Sequence, residues 1–190
     1  MELTIIRDRI LNRLRDVNLI NSSTIDEEIN MVQRQYIQPV ARLPGVAEYT
    51  TTKFDETVDK NTIAEDIYRF NIVTLTNTRE EVRILLLDDY HIDGKGVRPV
   101  GNQVYFQNMK EGQELRFYYF KRLRDLGEGE DQIQVPDIED QWHDLYVMGV
   151  LATWLPDYYP MFREQLESFR KDRMEETRHG TSPIPIKGWW

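Results

Sequence analysis

A chain of 190 residues with 40% hydrophobic and 30% charged residues has material for one globular domain, or one domain carrying an insertion. Its formal net charge of -9 argues against a protein whose main task is gripping nucleic acid, because that needs clustered lysine and arginine. The absence of cysteine excludes a disulfide framework and thiolate chemistry, no run approaches the ~18 apolar residues that span a bilayer, and the charge-studded start MELTIIRDRILNRL does not read as a signal peptide.

Leu3, Ile6, Ile10, Leu14 and Val17 recur at helical spacing and predict a first helix from Leu3 to about Asp16. NSSTIDEE then signals a second start. Thr24 and Glu27 have the spacing of a capping box, and Asp26, Glu27 and Glu28 suit the positive end of a helix dipole. This helix is expected to run to about Arg42 with Ile25, Ile29, Val32, Tyr36 and Val40 inward, a kink at Pro39, and a stop at Leu43-Pro44-Gly45.

The period then changes. VAEYTTTKF, IYRFNIVTLT, EVRILLLDDYHI, NQVYFQNM and QELRFYYFKRL are strand-length runs of β-branched and aromatic residues, with DKNTIAED as a short turn or helical patch after the first. TNTRE, DGKG and KEGQ punctuate them as turns. Leu115, Phe117 and Tyr119 alternate with Glu114 and Arg116, as Val82, Ile84 and Leu86 do with Glu81 and Arg83. The expectation is a small antiparallel β unit of four or five strands joined by short hairpins.

From Asp125 to Asp144 there are eight acids and no lysine or arginine. They read as a solvated loop leading into a helix, or more sharply as a surface that repels DNA. Asp137 is the expected N-cap of the next helix, whose inward stripe is Ile138, Trp142, Leu145, Gly149 and Ala152; the two small residues imply a close-packed neighbour. LPDYYP turns the chain, Pro160 suits a first helical turn, and Phe162, Leu166 and Phe169 stripe a last helix that fades near Arg178. The opposite face of that helix is charged.

The expected fold is therefore α+β: a small helical bundle of two N-terminal helices (residues 3–43) and two C-terminal helices (residues 137–176), an antiparallel β subdomain inserted over residues 46–124, and an extended C-terminal tail over residues 177–190.

No chemistry stands out. His91, His143 and His179 show no metal-ligand spacing. DDYHIDGKG has the flavour of a calcium loop through Asp89, Asp93 and Gly94, but His91 sits at the third position and Val100 at the twelfth, where acids are needed; a hairpin turn accounts for DGKG. There is no glycine-rich phosphate loop and no nucleophile elbow. Base stacking by Phe117 or Tyr119 lacks a basic surround beyond Arg116, Lys121, Arg122 and Arg124, so core packing is the better account. The expectation is no enzyme, no catalytic residues, no metal and no cofactor.

The second half, LRFYYFKRL…VPDIEDQWHDLYVMGVLATWLPDYYPMFREQLESFRKDRME, resembles the head-to-tail adaptor (connector, or head-completion) proteins of tailed bacteriophages. Three features carry the likeness: a tyrosine-rich strand ending the β unit, the pattern Asp-x-x-His-Asp-Leu-x-x-x-Gly-x-Leu-Ala from Asp140 to Ala152, and a proline turn into an amphipathic helix bearing Phe162, Leu166 and Phe169. These are packing patterns rather than catalytic signatures. They cover about a third of the chain, and the order of the first-half elements agrees.

The resemblance implies a structural protein of the virion neck, assembled in the host cytoplasm. Its copies form a ring, typically of about twelve, that joins portal to tail or neck proteins, with genomic DNA passing through the lumen unbound and no membrane contact. It implies heterologous side contacts, for which Arg163, Arg170, Lys171 and Arg173 on the last helix are the candidates. A small interaction domain outside a phage, or a weak nucleic-acid-binding module, is the alternative.

The tail PIPIKGWW matches no family pattern, and its role is read from its residues. Pro183 and Pro185 exclude a helix and favour an extended form, Ile184 and Ile186 offer alternate contacts, and Trp189 and Trp190 are candidate anchors for a portal pocket or a neighbouring subunit.

Overall fold

The computed structural model describes residues 1–14, 22–86, 89, 94–130 and 132–178. They form two compact units: one made from both ends of the described chain, Met1–Arg42 with Leu123–Glu176, and one built on Leu43–Arg122.

The first unit is helical. Helix α1 (Leu3–Arg13) buries Leu3, Ile6 and Ile10, each worth about 1.5–3 kcal/mol when removed fully from water. Helix α2 (Ser22–Val32) starts early enough that Thr24 lies inside it, so the expected capping box is not its start. Asp26 instead takes both arms of the Arg7 guanidinium.

Helix α2 passes without a break into a π-helical segment, Gln33–Ile37, where the Gln38 amide reaches back to the Gln33 carbonyl, and then into α3 (Gln38–Ala41). The π segment carries an extra residue per turn, so the inward stripe slips by one. Ile37 and Ala41 are fully buried in place of the expected Tyr36 and Val40, which are half-buried. It also carries the helix up to Pro39, whose missing donor is the local cause of the irregularity. Arg42 ends the run in the left-handed conformation.

A 3-10 turn, Asp140–Trp142, leads into α5 (Asp144–Trp154). Helix α5 buries Leu145, Tyr146, Val147, Gly149, Val150 and Leu151, so it is apolar nearly all round and forms the axis on which α1 and α2 pack. A Cβ on Gly149 would lie 2.3 Å from Val32 Cγ1 and 3.1 Å from the Phe162 ring, so the close approach expected at this small residue is present. After a 3-10 turn at Pro156–Tyr158, α6 runs from Tyr159 to Arg178 with Phe162 and Phe169 buried.

The second unit overturns the expected architecture. In place of a small antiparallel subdomain attached to a helical bundle, the chain folds a curled seven-stranded sheet with a core of its own. Its strands are β1 (Pro44–Thr50), β2 (Thr57–Asp59), β3 (Ile67–Leu75), β4 (Glu81–Ile84), β5 (Gly96–Val100), β6 (Gln103–Gln107) and β7 (Glu114–Lys121), with the short helix α4 (Lys60–Ile63) after β2. The order is β1-β7-β3-β4-β5-β6-β2.

Strands β4 and β5 pair in parallel, Arg83 opposite Gly96 and Ile84 opposite Val97. The segment holding DGKG is thus a crossover and not the hairpin expected from its turn residues. Strands β2 and β5 escape a propensity reading because one has three residues and the other, GVRPV, contains glycine and proline.

The curl follows from two rings. β1 and β6 stand five places apart in the sheet, about 24 Å if it were flat. Yet Tyr49 of β1 stacks on Phe106 of β6 with ring centroids 5.5 Å apart, and Phe106 meets Phe117 of β7 edge-on at 6.3 Å. The sheet wraps its inner face around Phe70, Val73, Phe106, Leu115, Phe117 and Tyr119.

Candidate interaction surfaces

The tail candidates Pro183, Ile184, Pro185, Ile186, Trp189 and Trp190 lie outside the described residues, as do His91 and His179. The α6 candidates divide. Arg163, Arg170 and Lys171 are exposed, and Arg170 makes a local ion pair with Glu167 at 3.6 Å. Arg173 is 6% exposed. Its guanidinium binds Glu139 and Glu176, the latter at 2.8 Å, and lies 5.2 Å from the centre of the Phe169 ring. It turns inward one helical turn past Phe169 and ties α6 to the segment before α5, so the outward basic face consists of Arg163, Arg170 and Lys171.

The acidic run is not a bare surface. Asp125 pairs with Arg34, Glu128 with Arg7, Asp137 with Arg124, Glu139 with Arg173, Asp144 with Arg9, and Asp140 with the Met1 ammonium. Six of its eight acids thus have a cationic partner. The Asp140 carboxyl is held below its ordinary range by the hydrogen bond from that ammonium. Asp137 is no helix cap; it accepts the Arg124 amide at 2.8 Å and the Arg124 guanidinium at 2.7 Å.

The same segment is fixed by buried amides. Asn30 makes two hydrogen bonds to the Leu126 backbone, Gln33 Nε2 donates to the Arg124 carbonyl at 2.9 Å, and the Leu123 amide donates to Gln38 Oε1 at 2.6 Å. The Tyr146 hydroxyl completes the set by donating to Gln33 Oε1 at 2.8 Å, and burial pushes its pKa well up. Helix side chains here replace a neighbouring strand, so the backbone that returns to the helical unit has partners although it lies in no sheet.

His143 is 1% exposed. Its Nε2 lies 2.7 Å from the Ile138 carbonyl, which can only accept, and its Nδ1 lies 2.6 Å from an ammonium, which can only donate. The ring is therefore the Nε2–H tautomer in a structural role. Among the described residues no group of histidine, aspartate and glutamate has the geometry to hold a metal ion.

In the β unit, Phe117 and Tyr119 are buried, so neither offers a face for base stacking; the Tyr119 hydroxyl donates to Asp66 Oδ1 at 2.7 Å. The loop after β1 is built around Glu56, 1% exposed, whose carboxylate accepts from the Tyr49 hydroxyl at 2.8 Å and the Thr52 amide at 3.0 Å. Burial raises the Glu56 pKa, but the bonds from Thr52 and Tyr49 outweigh it and hold the group below its ordinary value. Burial and the Glu56 carboxylate together push Tyr49 up to about 12.

A shallow cleft of about 570 Å³ is lined by Thr74, Thr76, Arg79, Arg116 and Tyr118. Arg116 in this cleft is already engaged by Glu48 at 2.9 Å.

None of these groups brings a nucleophile, a base and an open substrate space together. The signal available in sequence, charge and aromatic clustering, pointed at surfaces; its partners lie far away along the chain. No protein-family model matches the chain, and no curated protein matches it.

Proposed function

We propose that this chain is a non-catalytic structural protein of the tailed-bacteriophage neck. Copies form a ring, about twelve in number, between portal and tail and leave a channel for DNA. The observation that carries the reading is the stretch from Asp140 to Ala152. The residues that resemble the adaptor pattern are the ones that build the 3-10 turn and the central helix α5: His143 is locked, Leu145 is buried, and Gly149 admits Val32 and Phe162 at contact distance. The outward basic face of Arg163, Arg170 and Lys171 supports a charged side contact, while the paired acids show that neutralisation within the subunit accounts for much of the acidic run. No helix among the described residues is long and apolar enough to cross a membrane.

In this reading the tail docks on a structural neighbour. Pull-down of the full chain by the portal protein tests it. The proposal expects binding that is abolished when residues 182–190 are deleted while the circular dichroism spectrum is unchanged. Full portal affinity without those residues contradicts the anchoring role, and no portal binding by the full chain contradicts the neck assignment. Strongly salt-dependent association with DNA would favour a nucleic-acid-binding module instead.

A further inference from the structure

Strand β1 ends the sheet, and its alternation fixes which of its backbone groups are used. The Leu43 carbonyl accepts the Lys121 amide at 2.8 Å, and the Thr51 amide donates to the Gln113 carbonyl at 3.0 Å. Between these two bonds the antiparallel register turns the N–H and C=O groups of Gly45, Ala47 and Tyr49 toward β7, and those of Val46, Glu48 and Thr50 away from it.

The amides of Val46, Glu48 and Thr50 have no hydrogen-bond partner among the described residues, and all three residues are exposed, Val46 by 48%. Glu48, the one charge on the strand, is engaged by Arg116. Helix α4 contributes Ile63 to the inner core and packs near β1, but makes no hydrogen bond to the Val46, Glu48 or Thr50 backbone. Edge strands of this length are normally blunted by a bulge, a charged side chain, a proline or a cover, because an open row of donors and acceptors recruits another strand; in β1 the proline, Pro44, blunts only the first position.

We propose that the open edge of β1 is completed by residues 182–187 of a second copy's chain, SPIPIK, added as an antiparallel strand. Proline has no N–H, so it is tolerated in a paired strand only where the N–H would face away from the partner. Two prolines spaced by two satisfy that condition together. With Pro183 and Pro185 turned outward, the amides of Ser182, Ile184 and Ile186 would all face β1, where the carbonyls and amides of Val46, Glu48 and Thr50 point away from β7. The outward prolines then leave the new edge without donors, which stops further strands from adding.

Residues paired directly across an antiparallel ladder share a face. Ile184 and Ile186 therefore land on the outer face beside Val46 and cover its exposed side chain. The choice of a second copy as the source rests on the ring reading; the strand pairing itself rests on β1 and the proline spacing.

Disulfide trapping in the full chain tests this, and the absence of native cysteine makes it clean. Val46→Cys is combined with Ile184→Cys in one variant and with Ile186→Cys in another, since directly opposed strand residues fall within disulfide reach. The expected result is covalent multimers on oxidation for at least one pair. Adding Ile184→Pro to the Val46→Cys, Ile186→Cys variant places a proline at a ladder position and should cut the yield about tenfold, whereas Pro183→Ala should not.

No cross-link with either pair, a cross-link confined to one chain, or indifference to Ile184→Pro would overturn the proposal. Should a variant fail to fold, hydrogen exchange of the wild-type assembly decides. The Val46, Glu48 and Thr50 amides must be protected like those of Ala47 and Tyr49; free exchange would overturn the pairing. Multimers trapped by these cysteines without rings in electron micrographs would uphold the edge pairing and remove the ring, and rings without trapping would do the reverse.

Discussion

The Asn30 carboxamide donates to the Leu126 carbonyl at 2.8 Å and accepts the Leu126 amide at 2.7 Å, closing a ring between a helix side chain and backbone 96 residues away. Both groups are buried, and the pair fixes the register in which the chain re-enters its helical unit after the sheet. Replacing Asn30 by alanine leaves two backbone groups orphaned, at about 1–3 kcal/mol for each. The expected loss in urea unfolding is therefore of that order per group, with an unchanged m-value. A loss no larger than that of an exposed alanine substitution would show that water takes over the ring.

Gly149 sets the spacing of α5 against α2 and α6. Gly149→Ala forces a methyl into Val32 and is expected to cost roughly 1–3 kcal/mol, as overpacking does, despite the better helix propensity of alanine. Val32→Ala should restore part of it in a double-mutant cycle. Simple additivity of the two losses would contradict the contact.

Arg173 and Arg163 lie ten residues apart on one helix and should behave oppositely. Arg173→Ala strands Glu139 and Glu176 and is expected to lower stability by about 1–2 kcal/mol, less than the loss for a fully buried pair because both acids are half exposed. Arg163→Glu and Lys171→Glu should leave the melting temperature unchanged and weaken assembly. A thermal scan paired with sedimentation separates the two classes; equal stability losses at Arg163 and Arg173 would contradict the division of the face.

Glu56 and Tyr49 make the β unit sensitive to pH at both extremes. The Glu56 pKa is depressed in the folded state, so its contribution is present above the ordinary carboxylate value of 4.5 and lost as pH falls through the lower folded value. The Tyr49 pKa is raised from 10.0 to about 12, so its contribution is complete below 10 and lost as pH rises through 12. Glu56→Gln should flatten the acid limb of the stability profile and bring the Tyr49 titration down. An unchanged acid limb in that variant would remove Glu56 as its source.

Local pattern was legible in the sequence; long-range pairing was not. The α1 stripe of Leu3, Ile6, Ile10 and Leu14 and the β7 alternation of Leu115, Phe117 and Tyr119 are all buried, because each needs only its own period to be read. Gly149 was readable because a glycine on an apolar helical stripe marks the place where another element packs close. The π segment was not, since one extra residue per turn leaves no mark on composition and moves burial from Tyr36 to Ile37.

The parallel β4–β5 pair, the strands β2 and β5, and hence the size of the sheet were missed because pairing direction is decided by the connection and not by the residues inside a strand. The acidic run looked like an unpartnered surface because Arg34 and Asp125 are 91 residues apart, and Arg9 and Asp144 135. Arg173 looked like its neighbours on α6; only the position of Glu139 shows that it turns inward.

The neck assignment is tested most directly by electron microscopy of the full chain mixed with purified portal. The account predicts a closed ring of about twelve copies coaxial with the portal, with an open central channel. A stable monomer that does not assemble on the portal would contradict it.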